Sequence, residues 1–156
     1  MSIERPISRA AGPVATLDAL DGVERSVVLI LRLWDSGAEG QAAVRNEMAR
    51  RLGPEKVRAW TDTFDRLIGL LIAHGRRSLT RRAPGCLAVG SDEAVFARFV
   101  STAATGERED ALLVATLLVR ADVAPFLLAL AQDIGLSLRR SGLRLDGLAP
   151  PTPTRH

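Results

Sequence analysis

Val57, Trp60, Phe64, Leu67, Ile68 and Leu71 return every three or four residues, and Gly75 follows the last of them. Residues at that interval lie on one side of an α-helix, so this stretch must bury a face against other helices. The same period governs most of the chain. Asp21 with Glu24 three positions on suggests a helix start. Val23, Val27, Ile30 and Trp34 then form an inward stripe, with Arg25 and Arg32 on the opposite face and Leu29 exposed between them. Val44, Met48 and Leu52 point inward from a second helix over about 38–52, which Gly53 stops. Pro54 opens the third helix, since proline fits a first helical turn, and Asp62 can pair with Arg66 on its outer face.

The fourth helix opens at Ser91 or Asp92, carries Val95, Phe96, Phe99 and Val100 inward, and closes at Gly106. The fifth, about 107–119, is apolar nearly all round, which predicts a helix surrounded by others. Glu107, Glu109 and Asp110 at its start suit the positive end of a helix dipole. Asp122 caps the sixth, which accepts Pro125 in its first turn and runs to about Arg140. No stretch alternates with the period of a strand. These features predict an all-α fold: one compact bundle of about six helices over 16–145, a flexible arm at 1–15 and a proline-containing tail at 146–156.

A chain of 156 residues with 47% apolar side chains can bury one ordinary core. One cysteine, Cys86, excludes an intrachain disulfide and fits a reducing compartment. The opening "MSIERPISRAAGP" has no apolar run of the signal-peptide kind. The most apolar region, 111–131, carries Arg120 and Asp122 at its middle, each costing about 2.5–3.5 kcal/mol at a bilayer centre. A cytoplasmic protein outside the membrane is the expectation.

Residues 128–142, "LALAQDIGLSLRRSG", have some of the features of a DNA-binding helix-turn-helix. Ala131, Ile134, Gly135 and Leu136 stand where that motif places a small residue, an apolar one, the turn and another apolar one. Ser137, Arg139, Arg140 and Arg144 would then face DNA. Against this, Ser141 and Gly142 leave the would-be recognition helix without an anchor. Phe126, Leu127, Leu130, Ile134, Leu138 and Leu145 continue a helical stripe straight through Gly135. One continuous core helix is therefore the better reading.

Charge is unevenly distributed. All basic residues but Lys56 are arginine, and residues 41–90 hold ten basic against four acidic side chains, although the whole chain is only +3. Arg76, Arg77, Arg81 and Arg82 crowd the stretch after His74. Guanidinium groups at this density can grip carboxylates or phosphates. No aromatic is interleaved to stack on bases. His74, Cys86, Asp92 and Glu93 mix metal-ligand types but lack the close His or Cys pairs of a zinc site. No nucleophile–histidine–acid signature or phosphate-binding glycine loop is present.

The sequence thus favours a protein that works by binding a protein partner, or itself, through its arginine-rich loop, with no cofactor. The alternative is a DNA-binding regulator using 127–144. An enzyme or structural metal protein comes third.

Overall fold

In the computed structural model, residues 13–141 are described. A short strand β1 (Pro13–Thr16) and a 3-10 turn (Leu17–Ala19) lead into α1 (Gly22–Asp35), α2 (Ala38–Leu52) and α3 (Pro54–His74). A long loop then enters β2 (Ala88–Gly90), followed by α4 (Ser91–Ala104), α5 (Arg108–Leu118) and α6 (Ala124–Arg140). Among the described residues the fold is an all-α bundle of six helices with one small β-ribbon.

Local chemistry sets the helix ends. The Asp21 carboxylate accepts from the Glu24 N–H at 2.8 Å, capping α1. Gly53 ends α2 at φ +89°, a conformation that disfavours side chains, and Pro54 immediately starts α3. Asp122 does not cap α6. Val123 holds that position without a side-chain bond, and Asp122 lies beside Arg120 at 3.6 Å instead.

Helix α4 packs against α1, α5 and α6, and α6 also lies along α3. Phe96, Phe99 and Val100 of α4 meet this centre with Leu127, Ile134 and Leu138 of α6, all buried. Phe64 on α3 sits between two tryptophans. It stacks on Trp60, with centroids 5.4 Å apart, and takes Trp34 edge-on at 5.2 Å.

Several sequence expectations are corrected. Both sides of α1 are buried: Leu29 is 2% exposed, and so is Arg32. Helix α5 is not surrounded. Ala111, Ala115 and Leu118 face inward, but Leu113 and Leu117 are about two-thirds exposed. Phe126 faces outward too, one position off the buried stripe of Leu127 and Leu128. No ion pair joins Asp62 to Arg66.

The expected arm reaches into the fold, because Pro13–Thr16 pairs antiparallel with Ala88–Gly90. The rest of that arm, the tail at 146–156, Arg144 and Leu145 lie outside the described residues. Among the described residues, no helix is long and apolar enough to cross a membrane.

Candidate interaction surface

The loop between α3 and α4 carries the arginine run, and its backbone is fastened from below by a buried ion pair. Arg32 projects from α1 and meets Glu93 in the first turn of α4. Arg32 Nε donates to Glu93 Oε2 at 2.6 Å and Nη2 donates to Oε1 at 2.9 Å. Both side chains are fully buried. Two further donors of Arg32 reach the loop, with Nη1 on the carbonyl of Cys86 at 2.6 Å and Nη2 on that of Ala88 at 2.7 Å. Glu93 in turn accepts the backbone N–H groups of Arg82 and Gly90, each at 3.1 Å.

A planar fork facing a carboxylate, with further donors and acceptors filled by backbone, meets the condition for keeping two charges out of water. Burial alone would raise the Glu93 carboxyl. The Arg32 fork and the Arg82 and Gly90 N–H groups outweigh that and hold it below the usual carboxylate value.

Asp92, next along α4, ties the other half of the loop. It receives both terminal nitrogens of Arg77, one at 2.9 Å, and the N–H of Thr80 at 2.7 Å. Arg81 pairs with Asp35 at the end of α1, 2.6 Å away. Arg76 turns toward α5, where its Nε donates to the carbonyl of Thr116 at 2.5 Å.

The sequence-predicted loop residues therefore divide. Arg77 and the backbone of Arg82 hold the loop on α4, while Arg76 and Arg81 extend to its two flanks. Arg77 and Arg81 also border a groove of about 630 Å³ between the loop, the end of α1 and the last turns of α3. Leu31, Trp34, Ile68 and Leu71 supply its apolar lining, Ile72 its lip, and Asp35 and Asp65 its acidic side chains.

Of the would-be DNA residues, Ser137, Arg139 and Arg140 lie on α6. Helix α6 runs unbroken through Gly135, so the turn required by a helix-turn-helix is not made. A Cβ at Gly135 would lie 2.7 Å from the carbonyl oxygen of Val100 and 2.8 Å from the Ala104 side chain. The glycine serves close packing of α6 on α4. Arg139 donates to the carbonyl of Ala104 at 3.1 Å, Arg140 is exposed, and Ser137 borders a shallow hollow beside Trp60.

His74, Cys86 and Asp92 do not converge as metal ligands. His74 Nδ1 faces Arg120 at 3.3 Å, Asp92 is engaged by Arg77 and Thr80, and Cys86 offers its carbonyl to Arg32. Among the described residues, no three His, Cys, Asp or Glu side chains are grouped to hold a metal ion.

Sequence reasoning missed Arg32 and Asp35 as parts of this surface. The one available signal was Glu93 three positions after Gly90, the spacing of a carboxylate that reaches back over a helix start. Compared with known proteins, the chain matches no family model and gives no significant match to a curated protein or a solved structure.

Proposed function

We propose that this protein is a docking module that binds a partner protein through the arginine-rich loop at 75–90. The observation that carries the reading is the fastening of the loop by Arg32, Asp92 and Glu93. Long basic side chains on a mobile loop lose much freedom on binding. A loop already held in one shape loses less, which favours affinity. Arg76 and Arg81 supply positive charge at its flanks, and no carboxylate among the described residues pairs with Arg76. An acidic partner surface is the complement, and such charges act chiefly on the association rate.

The test compares tagged wild-type protein with the double variant Arg76→Glu, Arg81→Glu in capture and association-rate measurements. The double variant should fold normally, lose the captured partner, and show its largest rate deficit at low salt. Unchanged capture by a folded double variant overturns the reading. Arg77 and Arg82 are left intact because their contacts hold the loop.

A further inference from the structure

We propose that the groove beside the loop seats the apolar anchor of an acidic segment of the partner protein. This rests on the docking reading above and specifies its chemistry. Ile72 stands one helical turn beyond Ile68 on α3 and is 81% exposed. An isoleucine so open at the lip of an apolar hollow extends the apolar surface past the hollow itself. That suits a chain segment better than a compact small molecule.

The charges around the groove orient the segment. Arg81 pairs with Asp35 through Nη2 and donates Nη1 to the Leu79 carbonyl at 3.0 Å, and the Arg81 and Asp35 side chains are 31% and 53% exposed. An ion pair this open contributes little, so a partner carboxylate can take Arg81 over from Asp35 at small cost. Arg77 cannot be handed over in the same way. Its partner Asp92 is nearly buried and also holds the Thr80 N–H. Asp65, on the α3 side, repels carboxylates there. The segment's acidic residues therefore lie toward the loop and its apolar side chains toward Trp34 and Ile72.

Three synthetic helical peptides serve as probes. One carries two leucines a turn apart among glutamates, one has lysines in place of the glutamates, and one has serines in place of the leucines. The protein has two tryptophans, giving two indole N–H resonances. Trp34 lines the groove and Trp60 does not. The leucine–glutamate peptide should shift the Trp34 resonance saturably and more than that of Trp60. Ile72→Asp and Arg81→Glu should each weaken binding about tenfold or more, as removal of an anchor or its guiding charge does. The other two peptides should not bind comparably.

Equal binding of the lysine or serine peptide, no shift at millimolar peptide, or an unaffected Ile72→Asp variant overturns the proposal. So does decanoate binding more tightly than the peptide, which makes the occupant a small amphiphile. A Trp34 shift that follows protein concentration and disappears in Ile72→Asp makes it a second copy of this chain, and likewise overturns it. Partner capture that needs Arg76 and Arg81 but not Ile72 defeats the groove proposal while leaving the docking reading standing.

Discussion

Arg32 illustrates how far a single side chain can depart from its helical neighbourhood. Its spacing from Arg25 places both on a face that reads as solvent-exposed, yet Arg32 is buried. The carboxylate that makes this possible is 61 positions away. No local pattern reports a partner at that separation. Removing one member of a buried pair strands the other charge, so Arg32→Ala should lower unfolding free energy by about 3–5 kcal/mol in urea titrations. A loss below about 1 kcal/mol would mean that water reaches Glu93. The same pair sets an acid limit. Because the Glu93 carboxyl is held low in the folded state, its contribution is fully present above the unfolded glutamate value of about 4.3. It is lost as pH falls through the depressed folded value. Stability of the wild type should fall more steeply on acidification than that of Glu93→Gln, and parallel curves would contradict the assignment.

At the scale of elements, helices could be read from the sequence where caps and turn residues are local. Asp21, Gly53 and Pro54 mark their boundaries because each acts on backbone within a few residues. The outward faces of α1 and α5 were misread because burial depends on neighbours that the period does not name. Helix α5 is apolar on its open side as well, and periodicity cannot tell that from enclosure. The ribbon was hidden by its size, since β1 has four residues and β2 three. Gly135 shows the reverse case. A glycine inside a helix lowers helix propensity by about 1 kcal/mol relative to alanine. Here the Val100 carbonyl leaves no room for a methyl group. Gly135→Ala should therefore destabilise by about 1–3 kcal/mol despite the propensity gain, as overpacking does. A more stable alanine variant in thermal melts would mean that α4 and α6 stand further apart.

For the whole molecule, the six-helix bundle followed from composition and period, because both reflect burial summed over many residues. The arginine concentration was equally visible as a count. Which guanidinium groups fasten the loop and which remain at its flanks was not, because Asp35, Asp92 and Glu93 belong to two other elements. The groove was hidden for the same reason: its lining comes from α1, the ends of α2 and α3, and the loop.

The fastening of that loop also decides how the protein is digested. Trypsin cuts after arginine, so a solvent-facing run of four arginines would ordinarily be its first target. To enter a protease cleft, several residues of backbone must straighten and detach. Here the amides of Thr80 and Arg82 are held by carboxylates of α4, and the carbonyls of Cys86 and Ala88 by Arg32. Limited trypsinolysis should leave 76–82 intact while exposed helix ends are trimmed. In Glu93→Gln the same run should become the earliest cut. Early cleavage there in the wild type, mapped by mass spectrometry, would mean that the loop is loose in solution.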